Sequence, residues 1–117
     1  MAEKVGELPK ELRQAFQRYG FKAGFLKLTL LKLISKGPVH GYALMKEIER
    51  ITDEEWKPSP GSIYPALQEL VDDGLVTCNA QGRRKIYEIT PLGKETLEVA
   101  LHHAQDAIKR LSRLLAL

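Results

Sequence analysis

The sequence predicts a mainly α fold with a small β-hairpin, and three observations carry that reading. From residue 8 to Gly74 the apolar residues return every three or four positions, the period of helices with a buried face. Between Leu75 and Ile89 the period drops to two on either side of a polar, glycine-containing turn. After Pro91 the apolar spacing becomes 4, 3, 4, 3, 4, which is a heptad seam.

The first helix is expected over residues 8–19. Pro9 suits the opening position of a helix, Leu8, Leu12, Ala15, Phe16 and Tyr19 form a narrow apolar stripe, and Gly20 closes the segment. So short a helix is marginal alone, so its stripe must dock on something. A second helix is expected over 25–36. Leu26, Leu30 and Leu33 share one face while Leu28 and Leu31 point the other way, so it should be covered on two sides and lie centrally. The alternation in L-T-L-L-K-L would also suit a buried strand; the length of the run favours the helix. Gly37-Pro38 ends it, and Val39-His40-Gly41-Tyr42 opens a third helix reaching Thr52. Leu44, Met45, Ile48 and Ile51 make its inner side; Lys46, Glu49 and Arg50 lie outside.

An acidic linker, Asp53 to Pro58, with Trp56 as a hydrophobic cover, leads into the stretch that organises the chain, Ser59 to Gly74. Ile63, Ala66, Leu67 and Leu70 recur at i, i+3, i+4, i+7 and define a buried face; Gly61, Tyr64, Pro65, Gln68 and Asp72 lie opposite. A proline deep in a helix clashes with the carbonyl four residues back, so Pro65 is expected in the first turn with Ser62 as N-cap. Gly74 is the expected stop. The last turn carries Glu69, Asp72 and Asp73, which phosphate would repel. A duplex would therefore meet this helix at its N-terminal end.

Strands are expected over 75–78 and 85–89, joined by a turn over 79–84. Tyr87 and Ile89 should share one face, Ile86 and Glu88 the other, and the tip holds Arg83, Arg84 and Lys85 with no acid among them. Thr90 then caps a last helix with Pro91 at its first position. Leu97, Leu101, Ala104, Ile108, Leu111 and Leu115 form its seam. A narrow seam on a C-terminal helix asks for a partner helix, most simply its copy in a second subunit.

Composition sets the limits. With 117 residues, 44% hydrophobic and 28% charged, the chain suits one globular domain with appended helices. The net charge of +3 permits an anionic partner without requiring one. One cysteine excludes an internal disulfide framework and fits a reducing compartment. No apolar run approaches the ~20 residues a membrane span needs, and the N-terminus lacks a secretory signature, so the cytoplasm is the expected location. Catalysis is not expected: there is no nucleophile–base set at plausible spacing and no glycine-rich phosphate loop. No metal or other cofactor is expected either. His102 and His103 are adjacent and point to different helix faces, and Cys78 on a short strand is most simply a packing residue.

Three helices followed by a two-stranded hairpin are the parts of a winged helix–turn–helix. At this point the chain resembles the PadR family of transcriptional regulators. The resemblance covers Leu30 to Thr96 and rests on G-P-V-H-G-Y (Gly37–Tyr42), S-P-G-S-I-Y-P-A-L (Ser59–Leu67), D-G-L-V (Asp73–Val76) and G-R-R-K-I-Y-E-I-T-P-L-G (Gly82–Gly93). The single long C-terminal helix resembles the smaller subfamily, whose members are dimers. The resemblance implies operator binding, commonly as a repressor, with release in some members by a small molecule. It would make Ser62, Tyr64 and Pro65 groove or backbone contacts and Gln68 a base reader, since glutamine pairs bidentately with adenine. An ordinary solvated Gln68 is the alternative. Arg83, Arg84 and Lys85 suit phosphate or minor-groove contact. His40 and Tyr42 match the family's H-G-Y and are expected to hold the start of their helix, with backbone contact secondary. Drug-binding relatives that place a tryptophan in the C-terminal helix have no match here.

The resulting expectation has three parts. Residues 1–24 form a helix that packs on the core and, through Leu12 and Phe16, on the dimer interface. Residues 25–90 form the DNA-binding domain. Residues 91–117 form the dimerisation helix, with a small-molecule effector between the subunits as a further partner and no membrane. Two rivals stand beside this: another winged-helix family, MarR-like or ArsR-like, and a protein-interaction module that docks a different protein on its seam.

Overall fold

The computed structural model describes residues 21–117. The helix expected over residues 8–19, with Leu12 and Phe16, lies outside them. In chain order the elements are α1 (Phe21–Ile34), β1 (Val39–His40), α2 (Gly41–Ile51), α3 (Pro60–Asp72), β2 (Val76–Gln81), β3 (Arg84–Ile89) and α4 (Pro91–Leu115). The result is a mainly helical fold with a three-stranded antiparallel sheet in the order β1-β3-β2.

The doubly apolar α1 is central, as its sequence implies. It buries Leu26, Leu30, Leu31, Leu33 and Ile34 and touches α2, α3, α4 and β3. Around it Leu44 and Ile48 of α2, Ile63 and Leu67 of α3 and Val76 of β2 are fully enclosed. Each such side chain contributes roughly 1.5–3 kcal/mol relative to exposure. The four apolar positions of α3 at i, i+3, i+4, i+7 are all buried, so its opposite side is left to solvent.

Several local readings are corrected. α1 begins and ends earlier than 25–36. Val39 and His40 do not open the third helix; they pair with Tyr87 and Ile86 of β3 as a third strand, and α2 starts at Gly41. Ile51 ends α2 facing solvent at 48% exposure, because the chain turns away there. Asp53 and Glu54, at φ 48° and 64°, make that turn. Thr52 Oγ1 accepts from Trp56 N across it, and the Trp56 ring meets Phe25 at 5.3 Å between centroids. Trp56 is therefore the half-buried cover expected.

α3 starts at Pro60, with Ser59 at the N-cap, so Ser62 is not the cap and Pro65 is the sixth residue rather than a first-turn residue. The helix tolerates Pro65 because the one carbonyl that loses its donor, on Gly61, lies where the chain is exposed to water. At the other end Gly74 stops the helix as expected. At φ 76° it lets Leu75 N donate to Leu70 O and its own N to Val71 O, the paired bonds of a Schellman cap.

The hairpin is longer and its turn tighter than expected. Asn79, Ala80 and Gln81 belong to β2 and pair with Ile86, Lys85 and Arg84. Gly82, at φ 61°, and Arg83 alone make the turn, which matches the II′ preference for glycine at the first central position. Tyr87 is buried and Glu88 exposed, as the alternation requires.

Thr90 caps α4: its Oγ1 accepts from Gly93 N at 2.9 Å and donates to Gly74 O at 2.7 Å. Leu97, read as the first position of the seam, is taken into the chain's own core at 6% exposure, and Leu101 packs partly against that core. From Gln105 onward every residue is exposed, including Ile108, Leu111 and Leu115. Among the described residues no helix is long and apolar enough to cross a membrane.

Gly93 sits where α4 crosses the strand ends. A Cβ there would lie inside van der Waals contact of Leu75 O and 2.7 Å from Ile89 Cγ1. Gly93→Ala is expected to lower unfolding stability by about 1–3 kcal/mol, measured as a fall in the urea midpoint with unchanged slope.

Candidate nucleic-acid interface

Two helices and the wing converge on one open groove of ≈ 520 Å³. β1 pairs with β3, which brings the start of α2 beside the root of the wing. The groove is lined by His40, Tyr42, Tyr64, Arg83, Arg84 and Lys85, with Gly41 and Ala43 between them. Six of the nine residues read from sequence as contacts are thus gathered in one place. Ser62 and Pro65 lie on the other flank of α3, in a second groove of ≈ 550 Å³ with Lys27, Trp56, Lys57 and Glu69. Gln68 lines neither groove. It stands on the exposed face of α3, its Nε2 donating to Asp72 Oδ1 at 2.9 Å.

The aromatic wall of the first groove depends on Gly41. A Cβ there would fall 2.8 Å from Tyr64 Cε1 and 3.2 Å from its hydroxyl, so the ring rests on the first residue of α2. Sequence reasoning did not single out Gly41 as a seat for Tyr64, nor Ala43 as floor; the small residues flanking Tyr42 were the available signal. Lys46 was also read only as an outer residue. Its ammonium lies 5.5 Å from the centre of the Tyr42 ring and 3.4 Å from Glu49. Glu49 foremost, with Tyr42, raises the Lys46 pKa above its ordinary value.

His40 is the N-cap residue of α2 but makes no side-chain cap bond. It holds the helix start through its strand pairing with Ile86 rather than through its ring, whose Nδ1 is buried without a hydrogen-bond partner. Tyr42 is 62% exposed and free to reach outward.

Charge is divided along the surface. α3 carries no basic residue in its last turn and none elsewhere in its length. Its N-terminus supplies the positive end of the helix dipole, while its C-terminal end carries Glu69, Asp72 and Asp73. Lys27 of α1 forms an ion pair with Glu69. Arg83, Arg84 and Lys85 are exposed at the wing tip, with no ion-pair partner among the described residues. A polyanion would find cations from the wing, hydroxyls and amides from α3, and an acidic face only past the middle of that helix.

Helix–turn–helix geometry, a basic two-stranded wing and a recognition helix with a free N-terminal face define a winged-helix protein. The chain belongs to the transcriptional regulator PadR-like family, whose model matches residues 30–99. It is 40% identical over 83 residues to the transcriptional regulator YqjI of Escherichia coli; the match covers 70% of this chain but 40% of that protein. It is 32% identical over 97 residues to the transcriptional regulator Rv3488 of Mycobacterium tuberculosis, covering 80% of this chain and 84% of that one. A transcriptional regulator from Clostridium thermocellum shares the fold at TM-score 0.74 and 23% identity, over 78% of this chain and 93% of that one. Bacillus subtilis PadR in complex with operator DNA aligns at TM-score 0.58 and 32% identity, over 66% of this chain and 45% of that one.

Near Tyr64 the core also holds a titratable phenol. Tyr87 is buried at 5% exposure opposite Cys78 on β2. Burial first, then the Cys78 thiol beside its hydroxyl and the neighbouring Tyr64, push Tyr87 up to about 12. The neutral phenol is the form the fold favours. The stabilisation from it is complete below the unfolded value near 10 and is lost as pH rises through about 12. Between those limits the wild-type chain is expected to lose stability more steeply than Tyr87→Phe in denaturant titrations. Tyrosinate absorbance should also show a step near 12 that vanishes in the variant.

Proposed function

We propose that the chain is a sequence-specific DNA-binding transcriptional regulator that works in the cytoplasm as a homodimer on a pseudo-palindromic operator, acting as a repressor. The observation that carries this reading is the convergence of His40, Tyr42, Tyr64, Arg83, Arg84 and Lys85 on one groove beside the exposed N-terminal half of α3. In it, α3 enters the major groove N-terminus first, with Gln68 reading a base edge. Ser62, Tyr64 and Pro65 track the groove walls and Arg83, Arg84 and Lys85 engage phosphate or the adjacent minor groove. Residues 25–90 are then the DNA-binding unit. The operator complex of Bacillus subtilis PadR supports duplex DNA as the partner. Repression follows from occupancy: a dimer covering two half-sites one helical turn apart blocks that stretch of promoter.

Residues 91–117 are the dimerisation helix. In this chain alone Ile108, Leu111 and Leu115 are 63%, 55% and 77% exposed along one seam that continues from Leu101 and Ala104. Water exposure of such a row is unfavourable, and a second copy would cover it. A small-molecule effector between the subunits would shift the angle between the two α3 helices and with it the operator affinity.

Arg83→Ala with Arg84→Ala is expected to weaken binding to every duplex and to flatten log affinity against log salt by about 1–2 units. An unchanged slope removes the wing from the contact set. A gel shift with the chain's own upstream DNA separates a regulator, which gives a specific band, from a protein-docking module, which gives none. Ile108→Asp with Leu111→Asp should yield a folded monomer in sedimentation, since neither side chain is used by the monomer's core. A persisting dimer means another surface joins the subunits.

A further inference from the structure

The hydrogen bond between Gln68 and Asp72 has a consequence for base choice, and this inference rests on the DNA-binding reading above. A glutamine amide offers two N–H donors and one carbonyl acceptor. Adenine presents an acceptor, N7, beside a donor, N6; guanine presents two acceptors, N7 and O6. A free glutamine serves either base, pairing one donor and its carbonyl with adenine or turning both donors to guanine. In this chain Gln68 Nε2 already donates to Asp72 Oδ1 at 2.9 Å, one helical turn further along the same exposed face. One N–H and the carbonyl remain, the two-bond complement of adenine; guanine could take only that single N–H, with its second acceptor set against the Gln68 carbonyl.

We propose that Asp72 is a positioning residue that makes Gln68 selective for adenine by occupying the second donor that a two-bond contact with guanine would need. The arrangement accounts for an acid at a place where phosphate attraction alone disfavours one. Asp72 is the last residue of α3, where a negative charge also opposes the helix dipole, and it makes no ion pair among the described residues. A purely electrostatic Asp72 would weaken all duplexes alike and leave base preference untouched. A positioning Asp72 alters one column of the recognition sequence.

The test is selection of bound sites from random duplex DNA by the full chain, run with wild type, Asp72→Ala, Asp72→Asn and Gln68→Ala. Folding of each variant is checked by circular dichroism. Wild type should enrich a site with adenine at one position per half-site, and Gln68→Ala should lose that preference. Asp72→Ala should lower the adenine-to-guanine ratio there by roughly fivefold or more while leaving the other columns as they are. Asp72→Asn, whose carbonyl can still accept from Gln68, should restore it. An enriched site with the same ratio in Asp72→Ala overturns the role of Asp72 and leaves the regulator reading standing. No enriched site in wild type overturns both.

Discussion

The structure turns on a single junction, where the chain leaving α3 meets the chain entering α4. Thr90 Oγ1 donates to Gly74 O, Thr90 N donates to Leu75 O at 3.0 Å, and Gly93 N returns a bond to Thr90 Oγ1. Gly74 and Gly93 are the residues that let the segments come so close, one by its left-handed backbone and the other by having no side chain against Leu75 O. Val76 and Ile89, the first and last residues of the hairpin, pair directly above. Helix end, both wing roots and the start of the long helix are thus fixed to one another by backbone-scale contacts. Side-chain packing alone would leave more freedom in their angles.

That rigidity lets weak surface chemistry be specific. α3 has no cation of its own, so side-chain charge to attract an anionic partner would come from other elements: the wing tip at one edge, Lys46 beside Tyr42, and Lys57 on the far flank. Those groups act together only if the wing, α2 and α3 keep a constant relation. β1 secures α2 to the wing, since its two residues tie the start of α2 to β3, and Tyr64 resting on Gly41 secures α3 to α2. Charge supplies attraction over a distance of about a Debye length, roughly 8–10 Å; the frame decides which atoms arrive.

Much of this was legible in the residues. Long-period signals carried well: the i, i+3, i+4, i+7 row of α3, the two-sided α1, and the Thr-Pro start of α4 all appear as the pattern implies. What failed was local and decided by tertiary partners. Val39-His40 is too short to read as a strand until β3 lies beside it. The clash of an interior proline with the carbonyl four residues back argues for Pro65 in a first turn; in the structure Pro60 fills that role, and the exposed Gly61 carbonyl relieves the conflict at Pro65. Leu97 fits the heptad spacing perfectly well, yet spacing does not say whether a seam's first residue faces a partner or its own domain. Of the candidate contacts, six gathered in one groove because H-G-Y and G-R-R-K lie on elements that the sheet brings together. The seat of Tyr64 on Gly41 is harder to read: the small residues beside Tyr42 hint at a close approach, but what approaches is far away in sequence and joined only by packing.

The same frame constrains how any signal would travel. α4 begins at the junction and continues as one helix to Leu115, so its exposed C-terminal half and the end of α3 are parts of one lever. A helix has no soft point without a proline, glycine pair or bulge to supply one, and after Gly93 this helix contains neither proline nor glycine. On the dimer reading, any rotation of one subunit against the other at Ile108 and Leu111 would be delivered at Gly74 with little loss in bending. The separation of the two recognition helices, and not the shape of either one, is then the variable that an effector has available to change.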